Sequence, residues 1–263
     1  FAFSAFCGGE KTAVFPDITY GFYEVFADYN GVVYKKIPLG ADFKIIITDY
    51  FNANATVFIA NPNAPTGIAL TLGEIEEIVK NNPKNVVVID EAYIDFGGES
   101  AVSLIHKYDN LLVTQTFSKS RSAAGARLGF GIACKSLIAD LNTVRFSTNP
   151  YNVNSVTMAL GEGILDDGDY TRENCKKIIE TRLFAENELK NLGFETTNSS
   201  ANFIFARHKK IGGEKIYKKL KDKGILVRHF NGERIKDFNR ITVGTKDEMT
   251  VLIEKLKEII KEE

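Results

Sequence analysis

The sequence predicts an α/β fold: a mostly parallel sheet flanked by helices, followed by a smaller C-terminal α+β domain. Three observations carry this expectation. Short β-prone runs alternate with helical segments through the first half of the chain, as they do when crossover helices join parallel strands. The runs at 56–60, 86–89 and 111–113 are continuously β-prone rather than alternating, which marks strands covered on both faces. After Tyr151 the pattern changes to longer helices with a few short strands. The expected domains are 1–165 and 166–263.

Taken in order, the opening Phe1-Ala2-Phe3-Ser4-Ala5-Phe6 is a piece of apolar helix without a cap, so an upstream part of the protein is expected before it. A strand at 13–15 closes at Pro16-Asp17. A helix at 20–29 ends at Asn30-Gly31, which suits a left-handed cap. Strands follow at 32–34 and 56–60. The second runs into Asn61-Pro62-Asn63-Ala64-Pro65-Thr66-Gly67, where the prolines forbid helix and sheet interior. Thr71-Leu72-Gly73-Glu74 is a capping box, opening a helix that stops near Asn82 before Pro83. Strands at 86–91, 111–116 and 128–133 and a short helix at 103–108 complete this half.

The second half predicts helices at 153–165, 170–192 and 214–223, and strands at 202–206, 225–227 and 240–243. Thr245-Lys246-Asp247-Glu248 is a second capping box. The helix after it places Met249, Leu252, Ile253, Leu256 and Ile260 on one face, a core-facing stripe.

Composition narrows the function. The 33 Lys+Arg balance 34 Asp+Glu, so no global charge favours nucleic acid or a membrane surface. The longest apolar runs are strand-sized, and no transmembrane helix is expected. Cys7, Cys134 and Cys175 are far apart and odd in number, which fits a reducing, cytoplasmic compartment. His106, His208 and His229 are isolated from one another and from the cysteines, so local spacing shows no metal site.

The chemistry concentrates at two strand ends, where α/β folds place ligands. Asp90 closes a very apolar strand, and a carboxylate there is costly unless paired. Thr116, Ser118 and Arg127 can donate to a phosphate, and Lys119 between them is a candidate amine nucleophile. Asp90 could serve Mg²⁺ in a nucleoside triphosphatase. The required glycine-rich loop is missing, however: around Gly8-Gly9-Glu10-Lys11-Thr12, Ala5 and Glu10 stand where its glycines belong. Asp90 could instead hold a protonated aromatic nitrogen. With Tyr93 for a ring hydroxyl, Lys119 for an aldehyde and the Thr116, Ser118 and Arg127 set for a phosphate, each polar group of pyridoxal 5′-phosphate has a partner. Taken singly, Lys119 is an ordinary loop lysine and Tyr93 an ordinary core tyrosine; the combination carries the argument.

The ordered segments NPNAPTG, VVVIDEAY, TFSKSRSAAGARLGF and NRITVGT resemble those of the fold-type-I aminotransferases that use pyridoxal phosphate, from about Phe6 to the C-terminus. The resemblance implies that Lys119 bonds the cofactor covalently and moves the proton at the substrate α-carbon. It implies that Asp90 pairs with the ring nitrogen, Tyr93 contacts the ring hydroxyl, Tyr20 stacks on the ring, and Arg127, Thr116 and Ser118 bind the phosphate. Arg240 and Arg228 would bind the anion of glutamate or of a phosphorylated amino alcohol, and Tyr151 would lie near the substrate. A cytoplasmic homodimer is implied as well. Two departures stand out. Ala64 replaces the usual amide before Pro-Thr-Gly, leaving Asn63 or Asn61 to substitute, or Tyr93 to act alone. A glycine-serine segment that normally contacts the cofactor phosphate would lie upstream of Phe1. Rival readings are a decarboxylase of a phosphorylated amino acid on the same scaffold and a non-catalytic effector-binding domain.

Overall fold

The computed structural model describes residues 1–9 and 11–263; Glu10, invoked above against a phosphate loop, lies outside the described residues. Six strands form one sheet in the order β2-β1-β3-β4-β5-β6: β1 (Ala13–Pro16), β2 (Tyr34–Ile37), β3 (Thr56–Ala60), β4 (Val87–Asp90), β5 (Leu111–Thr116) and β6 (Gly129–Ile132). Neighbours from β2 through β5 are parallel, whereas β6 runs antiparallel to β5. A parallel return needs a crossover, usually a helix. The connection from β5 to β6 holds only the 3₁₀ turn Ala124–Ala126, so the chain folds straight back.

Strand alternation builds a core on each face. Val57, Ile59, Val87, Ile89, Leu111 and Val113 pack with Ile75, Ile78 and Val79 of α3 (Leu72–Lys80). Phe58, Val88 and Leu112 point the other way. They meet Phe3 and Phe6 of α1 (Ala2–Phe6), Tyr23 and Ala27 of α2 (Phe22–Tyr29), and Leu137 of α4 (Lys135–Thr148). Each such side chain contributes roughly 1.5–3 kcal/mol by leaving water. This two-sided burial is why these strands are continuously apolar over 57–60, 87–89 and 111–113.

Helices α5 (Ser155–Asp166) and α6 (Gly168–Asn191) lead to a second sheet, antiparallel throughout, in the order β7-β8-β10-β9. Its strands are β7 (Phe194–Thr196), β8 (Phe203–His208), β9 (Arg228–His229) and β10 (Asn239–Thr242), with α7 (Gly213–Asp222) before β9 and α8 (Lys246–Lys261) at the end. The expected 165/166 boundary falls within the last turn of α5. Both capping boxes form: Glu74 Oε2 accepts from Thr71 N at 2.7 Å, and Glu248 Oε2 from Thr245 N at 2.7 Å. In α8 Met249, Leu252, Ile253, Leu256 and Ile259 are buried, while Ile260 is only partly so.

Three expectations are corrected, and two elements were not foreseen. The helix expected at 103–108 is a 3₁₀ turn, Ala101–Leu104. The strand expected at 32–34 begins only at Tyr34, and that expected at 225–227 is replaced by Arg228–His229. β7 was not foreseen because three residues give no periodicity. Nor was α4, since Leu137 is its one buried residue and no apolar stripe marks it.

The NPNAPTG segment is clamped from the second sheet's side. Thr197 Oγ1 donates to Thr66 O at 2.5 Å, and Ser200 N to Gly67 O at 2.7 Å. Gly67 has φ +75°, and a Cβ there would lie 2.3 Å from Ser199 Oγ and 2.7 Å from Ser199 Cβ. Gly67→Ala is therefore expected to cost about 2–4 kcal/mol, read as a lower urea midpoint, because strained backbone and overpacking coincide.

Candidate active site

The C-terminal ends of neighbouring parallel strands meet at one point. Ala60 on β3 is in register with Asp90 on β4, and Asp90 with Thr114 on β5. Just beyond these ends lies a cavity of about 260 Å³. Tyr20, Asp90, Tyr93, Thr116, Ser118, Lys119 and Arg127 all line it, together with Ala60, Ala64 and Ala92. A larger groove of about 760 Å³ beside β6 contains Arg127 but neither Asp90 nor Lys119. Its size therefore does not mark it as the reactive site; the donor set does.

Asp90 is the acidic end of the cavity. Its Oδ2 accepts from Tyr23 Oη at 2.9 Å and its Oδ1 from Ala92 N at 3.2 Å. Burial raises its pKa above the ordinary carboxylate value, and the bonds from Tyr23 and Ala92 oppose that rise. Tyr23 is itself buried, and burial beside Asp90 pushes its phenol well above the usual range, so it stays a donor. The sequence reading missed Tyr23. The signal was its i, i+3 relation to Tyr20, which puts both rings on one side of the chain as α2 begins; the two rings meet edge-on, centroids 5.6 Å apart.

Glu91 follows Asp90 but faces away, as successive strand residues do. It is 2% exposed and accepts from Ser100 Oγ (2.7 Å), Ala101 N (2.6 Å) and Gln115 Nε2 (2.8 Å). It is thus a structural carboxylate that ties β4 to β5.

Lys119 projects from the turn after β5, its Nζ 5.4 Å from the centroid of the Tyr93 ring. The turn is anchored from behind by Asp95, which accepts a hydrogen bond from Ser120 Oγ and pairs with Arg121 at 3.4 Å. Arg121 also lies over the rings of Phe117 and Phe130, at 5.4 and 5.6 Å. The two residues after Lys119 are therefore both held by the carboxylate two residues after Tyr93. Thr116 Oγ1 donates to Ser118 Oγ at 2.9 Å, which gathers two hydroxyls on one side of the cavity. Arg127, in the left-handed region at φ 51°, stands at the same wall.

Two expected residues are placed elsewhere. Asn63 is 2% exposed and its amide is fully engaged: Nδ2 donates to Ile18 O (2.9 Å) and Thr66 Oγ1 (3.1 Å), and Oδ1 accepts from Thr19 Oγ1 (2.7 Å). It holds the loop and does not face the cavity; the methyl of Ala64 does. Asn61 is likewise bonded to both backbone groups of Leu70. Tyr151 lies between α4 and α5, is 89% exposed, and lines neither this cavity nor the one described next.

Arg228 and Arg240 front a second cavity of about 710 Å³, which shares Tyr20 with the first. Arg228 lies over the ring of Phe230 and Arg240 over that of Phe203, at 5.6 and 5.2 Å. Among the described residues neither has a carboxylate partner within 4.0 Å. The Nε of Arg240 is buried without an acceptor. Two uncompensated guanidiniums beside a cavity call for an anion.

The profile of aminotransferase class I and II matches residues 1–256. The chain belongs to that family. A histidinol-phosphate aminotransferase of Brachyspira hyodysenteriae is 49% identical over 99% of this chain and 74% of the relative. One from Lactococcus lactis subsp. cremoris is 47% identical, over 99% of this chain and 73% of the relative. The crystal structure of the histidinol-phosphate aminotransferase from Clostridium acetobutylicum superposes with a TM-score of 0.90 at 27% identity, covering 100% of this chain and 80% of that one.

This aminotransferase uses pyridoxal phosphate, and the donor set fits that group. A carboxylate stands at one end of the cavity, an amine and a phenol beside it, and two hydroxyls with a guanidinium at the wall. The cofactor supplies an electron sink for the carbanion left when the substrate α-proton departs.

Proposed function

We propose that this aminotransferase exchanges an amino group between glutamate and 2-oxoglutarate on one side and histidinol phosphate and imidazole-acetol phosphate on the other, a step of histidine biosynthesis. The observation that carries this is the pair Arg228 and Arg240, without anionic partners, in a cavity that opens beside Tyr20. Both substrates end in an anion, a carboxylate or a phosphate, and guanidiniums accept either through paired hydrogen bonds. One anion pocket then serves both half-reactions in ping-pong order. The relatives at 49% and 47% identity bear the histidinol-phosphate name, so a threonine-phosphate decarboxylase on this scaffold is the weaker reading.

In this reading Lys119 bonds the cofactor and carries the proton at the substrate α-carbon. Asp90, held by Tyr23, keeps the ring nitrogen protonated. Tyr93 donates to the ring hydroxyl, and with Ala64 beside it the cavity offers no side-chain amide for that oxygen. Thr116, Ser118 and Arg127 hold the cofactor phosphate, and Tyr20 packs on the ring. Residues 1–165 would carry these groups and 166–263 the two anion-binding arginines. No helix among the described residues is long and apolar enough to cross a membrane. We place the enzyme in the cytoplasm, a reducing compartment that suits its free cysteines Cys7, Cys134 and Cys175. A homodimer is supported by the apolar side chains left exposed on α2, Phe22, Val25, Phe26 and Tyr29, and on α5, Val156 and Leu160.

The test is a panel of amino donors with 2-oxoglutarate, with carbon dioxide release from threonine phosphate assayed in parallel. Histidinol phosphate should be the preferred donor, and Arg240→Gln should lower kcat/KM by about 10²-fold, the worth of a charged hydrogen-bonded pair of about 3 kcal/mol. Carbon dioxide release without 2-oxoglutarate consumption would overturn the reading.

A further inference from the structure

We propose that Arg234 is a positioning residue that determines specificity: through Asp17 it fixes the loop that follows Arg228, and so tunes binding of the phosphorylated substrate more than of glutamate. This rests on the substrate reading given above.

The two anion-binding arginines differ in how their backbones are held. Arg240 sits on β10, paired with Phe205 of β8 on one side and Arg228 of β9 on the other. Arg228 sits on β9, a two-residue edge strand bonded to β10 alone. Beyond His229 the chain leaves the sheet and returns only at Asn239. The sheet alone therefore fixes Arg240 but leaves Arg228 dependent on the loop after it.

Arg234 is the point at which that loop is tied down. Its Nη1 donates to Asp17 Oδ2 at 2.9 Å, and its Nη2 to the carbonyls of Leu39 and Gly40, each at 2.9 Å. Asp17 uses its other oxygen to accept from Leu39 N at 2.9 Å. Below the clasp, Ile235 and Phe238 pack with Ile18 and Leu39. Asp17 follows β1 directly and precedes Ile18-Thr19-Tyr20, and Tyr20 lines both cavities. The clasp thus joins the loop after Arg228 to the segment that presents Tyr20.

Arg234 also lines the second cavity, but three of its five N–H groups go to Asp17, Leu39 and Gly40 and its charge is paired with Asp17, so it differs from the unpaired Arg228 and Arg240. Its reach to acceptors in two directions needs a planar fork, which a lysine ammonium lacks. Substrate chemistry supplies the asymmetry. Glutamate carries two carboxylates, and the one that lies at this cavity is satisfied bidentately by a single guanidinium, that of Arg240. A phosphate presents three oxygens and more charge, and gains more from a second guanidinium, that of Arg228.

The experiment measures steady-state kinetics of the holoenzyme for wild type, Arg234→Gln, Arg234→Lys and Asp17→Asn, with thermal midpoints recorded for each. Hydrogen exchange of residues 228–242 is followed in the same proteins. Arg234→Gln should raise KM for histidinol phosphate about tenfold while KM for glutamate stays within about twofold and kcat within about threefold. Arg234→Lys should be intermediate, and Asp17→Asn should shift the same ratio in the same direction. Amides of the loop 230–238 should exchange about tenfold faster, those of β10 unchanged. Equal rises in both KM values, or faster exchange with the KM ratio unmoved, would overturn the proposal and leave the clasp a purely structural contact. A wild-type holoenzyme inactive on histidinol phosphate would overturn the substrate reading instead, and the proposal with it.

Discussion

Lys119→Ala is expected to lower turnover by about 10⁴-fold or more and to remove the visible absorbance that borohydride quenches in the holoenzyme. One side chain is asked to do two things, to bond the cofactor and to carry the α-proton, and a positioned acid–base group alone is worth about 10²–10⁴. Stability should move little, within about 0.5 kcal/mol, because Lys119 is exposed at the rim of the cavity and its turn is held by Asp95, Ser120 and Arg121 rather than by the amine. Absorption spectra before and after borohydride, with a urea melt, check both halves. Absorbance that survives the substitution would mean that another amine holds the cofactor.

Asp90→Asn should act in opposite directions on catalysis and on the cofactor-free protein. In the proposed reading the carboxylate keeps the ring nitrogen protonated, a preference worth roughly 1–3 pK units or about 1.4–4 kcal/mol, so kcat should fall by about 10- to 10³-fold. The amide keeps an acceptor for Tyr23, so packing survives. Without cofactor the buried carboxylate is a burden. Its pKa is raised by burial, so between the ordinary carboxylate value and the raised one the native state holds more protons than the unfolded state. Stability of the cofactor-free wild type therefore falls as pH rises through that window. Asp90→Asn should remove this slope and leave the cofactor-free variant more stable than wild type above the window. Urea titrations at several pH values, without cofactor, measure it. A slope that persists in the variant would show that another group titrates there.

The chemistry was legible because its residues sit at places that sequence pattern marks. β3 and β5 were expected at 56–60 and 111–116, and the structure gives those bounds, since two-sided burial makes 57–60 and 111–113 continuously apolar. The ends of β4 and β5 then place Asp90, Thr116 and Lys119 without further information. The capping boxes at Thr71 and Thr245 were legible for a similar reason, because donor and acceptor lie three residues apart in the chain. α4 was not, because a helix that buries one residue writes no stripe.

Sequence by itself determined the α/β class, the family resemblance and the set of groups proposed to meet a pyridine ring, an aldehyde and a phosphate, because each depends on residue type and on neighbours close in the chain. Only the tertiary structure decided that β6 runs antiparallel, that Tyr23 is the group bonded to Asp90, that the Asn63 amide is consumed within its own loop, and that Tyr151 stands apart. These are outcomes of contacts between distant segments. Asp90 and Tyr23 are 67 residues apart, and Asn63 and Thr19 are 44. A polar side chain bonds whichever partner folding brings within about 3 Å, and no local pattern records that choice.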